Sequence, residues 1–189
     1  MTTVLKIGGS LREDPARLRA LLAEVADGTH GRCIVVPGGG AFADAVRAEQ
    51  VRDGFDDAEA HRRALDAMGR MAASFCDWEP RLTRSIEPWT DDAAACIWDP
   101  ASLRAGHPDI PENWDVTSDS LALWLATRLR ARLCVLVKST DATPEETLET
   151  LARRGLVDAA VPSFAARYGG PIAIWGPTGR VTLRQRVAA

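Results

Sequence analysis

The sequence predicts an α/β fold in which a sheet is covered by helices. Short apolar runs alternate along the chain with segments that have the hydrophobic spacing of amphipathic helices. Residues 133–137, Leu-Cys-Val-Leu-Val, are apolar throughout, as in a parallel strand buried on both faces. The chain has 189 residues, enough for a substantial core, and contains no internal repeat or long linker. We therefore expect a single domain over residues 1–189.

In the first half of the chain, predicted strands and helices follow one another closely. Asp14 and Pro15 form a favourable helix start, an N-cap residue followed by proline at the first helical position. The helix that follows carries apolar residues at helical spacing and ends near Gly28. The same reasoning predicts strands over residues 4–7, 33–36, 82–86 and 93–98, and helices over residues 41–51 and 58–75.

The second half begins with a loop-rich stretch over residues 105–116. Ser118 or Asp119 is the expected N-cap of the next helix, and Thr143 is the expected cap of a helix that runs to about Arg154. The remaining elements are predicted as a strand over residues 133–137, a short helix over 161–167, a strand over 172–175 and a turn over 176–179.

Composition and charge disfavour several classes of protein. The formal net charge of −3 provides no basic surface for nucleic acid and no polybasic patch for a membrane. No apolar run approaches the roughly 20 residues that span a bilayer, and the N-terminus lacks the pattern of a signal peptide. The four cysteines show no C-x-x-C spacing and the three histidines no metal-ligand spacing, which predicts reduced thiols and no protein-bound metal. We therefore expect a cytoplasmic protein that binds neither nucleic acid nor membrane.

Lysine is rare in this chain, and its two positions are informative. Of the 23 Lys and Arg residues only Lys6 and Lys138 are lysine, and each lies where a predicted strand runs into a loop. A compact ammonium follows a phosphoryl group as a point charge more readily than a planar guanidinium does. Codon bias is the alternative explanation for so few lysines. The motifs around both residues favour a role in phosphate chemistry.

Glycine-rich loops follow the first two predicted strands. Gly8-Gly9 lies directly after Lys6-Ile7, and residues 38–40 form a triple glycine before the helix over residues 41–51. Such loops expose backbone N–H groups to anions and place a positive helix end beside them. One glycine loop is a weak signal, because turns use glycine for backbone reasons alone. Neither loop matches a P-loop or a G-x-G-x-x-G fingerprint, which disfavours those two nucleotide-binding folds.

A polar cluster, residues 117–120, precedes the apolar helix that begins near Asp119. The simplest role of this cluster is a helix cap, which Thr, Ser and Asp all favour, but capping requires only one of these side chains. We expect a carboxylate of this segment to hold the ammoniums of Lys6 and Lys138 in register for a transferring phosphate. Capping remains the alternative role for Asp119.

Four segments, VLKIGGSL, VVPGGGAFADAVR, WDVTSDSLALWLA and VLVKSTDA, occur in the order typical of the amino-acid kinase superfamily, which includes aspartokinases and uridylate kinases. The chain resembles this superfamily over nearly its whole length. The segment AEAHRRALDAMGRMAASF is similar in particular to a helix of the aminomethylfuran phosphate kinases of methanofuran and methylofuran biosynthesis. The resemblance implies a three-layer αβα sandwich with a mainly parallel central sheet. It also implies binding of ATP and Mg²⁺, the metal being held mainly by the nucleotide phosphates.

The resemblance also implies roles for individual residues. Lys6, Asp119 and Lys138 match the catalytic positions. The positions implied for nucleotide and phosphate binding are Gly8, Gly9, Ser10, Gly38, Gly39, Gly40, Lys138 and Asp141. The positions implied for the acceptor are Gly39, Phe42, Asp44, Arg47, His61, Thr117 and Ser118. For His61 the alternative is a packed core or interface histidine, and for Arg47 it is a solvated surface charge.

The chain departs from its relatives at two places. Pro37 replaces a histidine that several relatives have before the triple glycine, so recognition of the acceptor by that histidine does not transfer. After Asp141 the sequence reads Ala142-Thr143 where relatives have a Gly-Val-Tyr turn, and we expect a shortened C-terminal nucleotide-binding part.

The expected function is that of an ATP-dependent phosphotransferase that converts a small phosphate monoester, an aminomethylfuran methyl phosphate by resemblance, to a diphosphate for a C1-carrier cofactor. One alternative is a kinase for another acidic acceptor, such as a carboxylate, a carbamate or an isoprenoid phosphate. The other is a nucleotide-binding regulatory or storage protein without turnover. The expected partners are ATP, a phosphorylated acceptor and a second copy of the chain in a homodimer, because the helix over residues 58–75 is apolar along one face.

Overall fold

A computed structural model describes residues 1–90 and 93–183 of the chain. Residues 91, 92 and 184–189, which belong to the expected single domain, lie outside the described residues. In the described part the chain forms one seven-stranded sheet with strand order β3-β4-β2-β1-β5-β6-β7. The first six strands are parallel, and β7 is antiparallel to β6. The strands are β1 (Thr2–Ile7), β2 (Arg32–Pro37), β3 (Thr83–Ser85), β4 (Ala95–Trp98), β5 (Leu133–Val137), β6 (Ile172–Trp175) and β7 (Arg180–Leu183).

Helices cover both faces of this sheet. The α-helices are α1 (Pro15–Ala26), α2 (Gly40–Asp53), α3 (Asp57–Trp78), α4 (Ser118–Arg128), α5 (Leu148–Arg153) and α6 (Val161–Tyr168), and 3-10 helices span Gly9–Glu13 and Pro100–Ala105. Alternate residues of β1 enter separate apolar clusters: Val4 packs with α4 and α6 on one face, and Leu5 packs with α1 and part of α3 on the other. The predicted three-layer αβα sandwich with a mainly parallel sheet is confirmed.

The long helix α3 packs its apolar side within the chain itself. Leu65 and Met68 belong to the core cluster on one face of the sheet, and Met71 and Phe75 belong to the cluster on the other. These four side chains are each no more than 4% exposed. The apolar face of α3 is therefore buried in the core of the same chain, and it gives no support to the expected dimer. None of the described helices is long and apolar enough to cross a membrane.

Local capping follows the sequence in the first half of the chain and departs from it in the second. Asp14 caps α1 as predicted, its carboxylate accepting a hydrogen bond from Arg17 N at 3.1 Å. The N-cap of α4 is Thr117 and not Ser118 or Asp119, because a carboxylate from elsewhere in the chain satisfies the first turn. The predicted cap at Thr143 is wrong as well. The chain makes a turn there and α5 begins only after Thr147, whose hydroxyl accepts from Thr150 N at 3.3 Å.

Strand β7 was not predicted from the sequence. Residues 180–183 alternate polar and apolar side chains, with Val181 and Leu183 on the same face, which is the pattern of a half-buried edge strand. This alternation covers only the 4 residues of β7, too few to predict a strand, and antiparallel pairing with β6 stabilises the strand in the fold.

Candidate functional site

The central strands end at a cavity of about 610 Å³ at the carboxyl edge of the sheet. β1 lies between β2 and β5, so the loops that follow these three strands meet at one place. The 27 residues that line the cavity come from both glycine loops, from α2 and α3, from the N-terminus of α4 and from the segment after β5. In parallel α/β sheets the carboxyl edge is the usual place for ligands.

Two lysines and one aspartate form a buried cluster at the base of this cavity. Lys6 is on β1 and Lys138 directly follows β5, the neighbouring strand, so the two side chains are brought together by strand pairing. Asp119 Oδ1 lies 2.9 Å from Lys6 Nζ, and Lys138 Nζ donates to Asp119 Oδ2 at 2.5 Å. The three residues are 6%, 3% and 8% exposed in the order Lys6, Asp119, Lys138. The structure therefore brings together the three residues expected to be catalytic.

The electrostatics of this cluster follow from its burial. Burial alone would raise the pKa of the Asp119 carboxyl, but the charges of Lys138 and Lys6 lower it to about 2. Burial lowers the pKa of Lys138 to about 8, although the negative charge of Asp119 acts in the opposite direction. Asp119 is thus ionised at neutral pH, and Lys138 titrates just above neutral pH.

Asp158 fixes the segment that carries Asp119. Its carboxylate accepts hydrogen bonds from Thr117 N at 2.9 Å, from Thr117 Oγ1 at 2.9 Å and from Ser120 N at 3.0 Å, and a short one from Ser120 Oγ. It takes the place of a side-chain cap at the start of α4, since Thr117 makes no such bond itself. Burial and the nearby charge of Asp119 raise the pKa of Asp158. With its first turn satisfied in this way, the helix leaves Asp119 free to face the lysines.

The two glycine loops pack backbone against backbone. A Cβ atom at Gly9 would lie 2.2 Å from Gly40 Cα, and one at Gly38 would lie 2.6 Å from Gly9 N. Gly40 has φ of +51° and starts α2, so it needs the conformational freedom that glycine has. Ser10 and all five glycines predicted to bind phosphate line the cavity. The two loops can therefore pack this closely against each other only because these positions carry no side chain.

Besides Gly39, five of the residues expected to bind the acceptor line the cavity. They are Asp44 and Arg47 on α2, His61 on α3, and Thr117 and Ser118 at the start of α4. His61 is 4% exposed, and its Nδ1 lies 3.3 Å from the carbonyl oxygen of Asn113. Burial lowers the pKa of His61, so the imidazole is neutral at neutral pH. His61 is therefore both a packed histidine and part of the cavity wall.

Two predicted site residues do not line this cavity. Phe42 packs beside the core cluster that contains Leu5, and the guanidinium carbons of Arg12 and Arg70 lie 5.8 and 4.8 Å from its ring centroid. Asp141 accepts hydrogen bonds from the backbone of Thr178 at 3.1 Å and of Gly179 at 2.9 Å, so its carboxylate holds the β6–β7 turn. The physical reason is the same for both residues, because each side chain is directed to a neighbouring part of the fold.

Sequence reasoning missed Arg17, which ties together the ends of the strands beside the site. Its guanidinium donates to the backbone carbonyls of Lys138 at 2.9 Å, Trp175 at 3.0 Å and Gly176 at 2.7 Å. Nothing in the spacing of a helical arginine indicates such a role. Asp158 was missed for a similar reason, since it lies 38 residues or more from its partners along the chain.

The described residues contain no cluster of three or more His, Cys, Asp or Glu side chains that could hold a metal ion. The one carboxylate at the base of the cavity, Asp119, is already paired with two ammoniums. This donor set fits a Mg²⁺ ion that arrives with a nucleotide and is held by its phosphates.

The sequence pattern of the amino acid kinase family matches residues 1–95 of the chain. A curated relative, (5-(aminomethyl)furan-3-yl)methyl phosphate kinase of Methanocaldococcus jannaschii, is 26% identical over 146 residues, which are 73% of this chain and 66% of that protein. The match thus spans slightly less than two thirds of that relative's length.

Solved structures of similar fold include the uridylate kinase of Archaeoglobus fulgidus, with a TM-score of 0.64, 17% identity and coverage of 98% of this chain and 92% of that chain. The UMP kinase of Ureaplasma parvum has a TM-score of 0.69 and 10% identity, with 98% and 99% coverage. The aspartate kinase of Synechocystis has a TM-score of 0.66 and 15% identity, with coverage of all of this chain and 41% of that one. At these identities the likeness shows the fold. The family match and the kinase-named relative support the predicted enzyme class, a phosphotransferase. The chain belongs to the amino acid kinase family.

Proposed function

We propose that the chain is an ATP-dependent kinase that transfers the γ-phosphoryl group of ATP to a small phosphate monoester and so forms a diphosphate. The observation that carries this proposal is the cluster of Lys6, Asp119 and Lys138, buried at the base of a cavity between two glycine loops. Phosphoryl transfer requires mainly positioning and neutralisation of charge, and little covalent participation by the protein. Two cations aligned on one carboxylate, beside loops that present backbone N–H groups, meet that requirement.

In this proposal each part of the cavity has one task. The N–H groups of the loop at Gly8 and Gly9 bind the β- and γ-phosphates, and the loop at Gly38–Gly40 lies between the acceptor and the γ-phosphate. Lys6 and Lys138 neutralise the charge that spreads over the transferred group. Asp119 keeps the two ammoniums at fixed positions against their mutual repulsion. Mg²⁺ bound to the nucleotide supplies further neutralisation of the phosphate oxygens.

For the acceptor we propose an aminomethylfuran methyl phosphate or a close analogue. The support is the similarity to the kinase of Methanocaldococcus jannaschii that is named for this substrate. Two aromatic side chains, Trp114 and His61, are among the residues that line the cavity, which suits an acceptor with an aromatic ring. A diphosphate is a better leaving group than a monophosphate, which gives a chemical reason for the reaction in the activation of a C1-carrier precursor.

We further propose that residues 1–189 act as one domain in the cytoplasm. The support for a reducing compartment is that Cys33 and Cys134 are buried thiols outside any disulfide. Burial raises the pKa of Cys33 to about 12, so this thiol is protonated and unreactive at neutral pH. A homodimer stays a prediction, because the helix face that prompted it is buried within the chain. Sedimentation of the purified chain tests the dimer.

The experiment that tests the proposed function is incubation of the purified chain with ATP and Mg²⁺ in the presence of a panel of acceptors. The panel comprises the aminomethylfuran methyl phosphate, an isoprenyl phosphate, a carboxylate and a carbamate, with release of ADP and ³¹P NMR of the product as the two readouts. We expect a diphosphate only with phosphate monoesters and fastest with the furan. The Lys6→Met variant is the control for contaminating kinases. If ADP is released only with the carboxylate or the carbamate, the acceptor is not a phosphate monoester. No turnover with any of the four compounds would contradict the proposed kinase activity.

A further inference from the structure

We propose that Trp114 and Gln50 hold the guanidinium of Arg47 as a preformed fork for the phosphate group of the acceptor. This inference rests on the proposed function and specifies how the acceptor is recognised. Arg47 and Trp114 both line the cavity, from α2 and from the loop before α4 respectively. Trp114 and Gln50 are positioning residues, and Arg47 is the residue that contacts the substrate.

Stacking on Trp114 restrains the guanidinium of Arg47. Its guanidinium carbon lies over the indole of Trp114, 4.2 Å from the ring centroid. The indole is itself fixed, because Trp114 Nε1 donates to Gln50 Oε1 at 2.6 Å. The amide of Gln50 donates in turn to Asp57 Oδ1 at 2.8 Å and to the carbonyl of Phe55 at 3.3 Å. Arg47 and Gln50 are three residues apart on α2 and therefore share one side of the helix.

A guanidinium that stacks by its face keeps its N–H donors available at its edge. In Arg47 one of these donors, Nη1, bonds Asp44 Oδ1 at 3.0 Å. The side chain of Asp44 is 73% exposed and that of Arg47 is 49% exposed, so this ion pair is solvated and weak. A phosphate dianion can take the place of the Asp44 carboxylate and accept two parallel hydrogen bonds from the fork.

The neighbouring pair of Arg63 and Phe55 shows the same stacking, but the N–H groups at the edge of its guanidinium are already bonded to carboxylates. The guanidinium carbon of Arg63 lies 4.1 Å from the ring centroid of Phe55. Its Nε donates to Glu59 at 2.8 Å and its Nη1 to Glu49 at 3.5 Å, so two carboxylates occupy its edge. Neither Arg63 nor Phe55 lines the cavity. This pair, Arg63 on α3 and Phe55 in the loop between α2 and α3, is therefore a matched control.

The arrangement selects a class of acceptor. A fork of in-plane donors matches two oxygens of an anionic group such as a phosphate monoester or a carboxylate, whereas an alcohol offers it a single oxygen. Of the three further cations that line the cavity, Lys6 and Lys138 are already paired with Asp119. The third, Arg12, belongs to the 3-10 helix after β1, and its guanidinium carbon lies 5.8 Å from the ring centroid of Phe42 and 5.9 Å from that of Trp78. Arg47 is thus the cation that α2 presents to the acceptor's own phosphate.

The test compares the steady-state kinetics of Arg47→Lys, Trp114→Phe, Trp114→Leu and the control Arg63→Lys, with the aminomethylfuran methyl phosphate as acceptor. Loss of the bidentate contact in Arg47→Lys is expected to raise the KM for the acceptor by about 10-fold to 100-fold. Trp114→Leu, which removes the stacking, should raise this KM by about 3-fold to 5-fold, and Trp114→Phe, which keeps a ring, by less than about 2-fold. The KM for ATP should stay within about 2-fold of the wild type in all four variants, and Arg63→Lys, which lies outside the cavity, should also keep its kcat and its acceptor KM.

Three results would overturn the inference: an acceptor KM in Arg47→Lys no higher than in Arg63→Lys, a rise confined to the KM for ATP, or a Trp114→Leu variant equal to the wild type. If Trp114→Leu does not fold, Gln50→Leu takes its place, because it removes the hydrogen bond that fixes the indole. If the chain turns over no acceptor, calorimetric binding of phenyl phosphate to wild type and Arg47→Lys separates the two proposals. Weaker binding in the variant then supports the fork although the proposed function has failed, and equal binding overturns the fork.

Discussion

Replacement of Asp119 by asparagine separates its role in the site from helix capping. The amide keeps the size of the side chain and can cap a helix as well as aspartate does, so a capping role predicts almost no effect. In the structure, however, Asp119 makes no capping bond. Its two oxygens face Lys6 Nζ at 2.9 Å and Lys138 Nζ at 2.5 Å. The variant therefore leaves two buried ammoniums without their common counter-ion.

The magnitude follows from this geometry. Removal of one partner from a buried ion pair typically costs about 3–5 kcal/mol of unfolding free energy, because the other charge is left uncompensated. Deprotonation of Lys138 relieves part of that cost, and we expect a net loss of about 2–4 kcal/mol at neutral pH. The loss of an aligned charge at the transferring phosphate should lower kcat by about 10²-fold to 10³-fold, or roughly 3–4 kcal/mol of transition-state stabilisation.

The pH dependence of stability gives a second test of the same variant. The charge of Asp119 raises the pKa of Lys138, so its removal should bring that pKa below about 8, further from the ordinary value of 10.5. The unfolded chain then binds more protons than the folded variant between these two pKa values, so the variant's stability rises with pH in that range. In the wild type Lys138 is protonated in both the folded and the unfolded chain below about pH 8, so it makes the unfolding free energy no higher as the pH rises towards 8. The difference in unfolding free energy between wild type and variant should therefore narrow as the pH approaches 8.

The assay combines urea unfolding at about pH 6 and about pH 8 with steady-state kinetics of ADP release. Asp99→Asn is the matched control, since Asp99 is also buried, at 7% exposed, and caps a 3-10 helix through Ala101 N at 3.1 Å. The control should retain its kcat. An Asp119→Asn variant with wild-type kcat/KM would refute the reasoning, and so would a loss of stability that does not change with pH.

Three further predictions concern the same site. Lys6→Ala should lower kcat by about 10²-fold or more while the variant remains folded, and unaltered kcat in the ADP-release assay would exclude Lys6 from the chemistry. Gly9→Ala places a Cβ 2.2 Å from Gly40 Cα, so the two loops must separate; we expect a lower melting temperature together with loss of turnover, and a variant with wild-type kcat would contradict the close approach of the loops. The kcat/KM should fall above about pH 8, where Lys138 loses its charge, because its lowered pKa removes the proton earlier than in free lysine. Lys138→Arg should shift this alkaline decline to higher pH even if its maximal rate is lower, and an unchanged pH profile in this variant would assign the decline to another group.

Most of the sheet, its covering helices and the residues at the base of the cavity could be predicted from the sequence. Apolar runs locate β1, β2, β5 and β6, because these strands are buried on both faces over most of their length and are therefore rich in apolar residues. The scarcity of lysine points to Lys6 and Lys138, because each of them lies where its own strand runs into a loop. This signal is contained in a few neighbouring residues of the sequence.

The way in which these parts meet could not be predicted from the sequence. The pairing of β1 with β5 brings Lys6 and Lys138 to the same carboxylate, and no spacing along the chain contains that information. Asp158 and Arg17 act on partners that are 38 to 159 residues away, so their roles have no local pattern. For Asp141 the local pattern was misleading. Its place in the segment VLVKSTDA predicted a phosphate contact, but its carboxylate accepts hydrogen bonds from Thr178 N and Gly179 N in the β6–β7 turn. Hydrophobic periodicity is a property of neighbours in sequence, whereas hydrogen bonds to polar side chains depend on which elements the packed core places side by side.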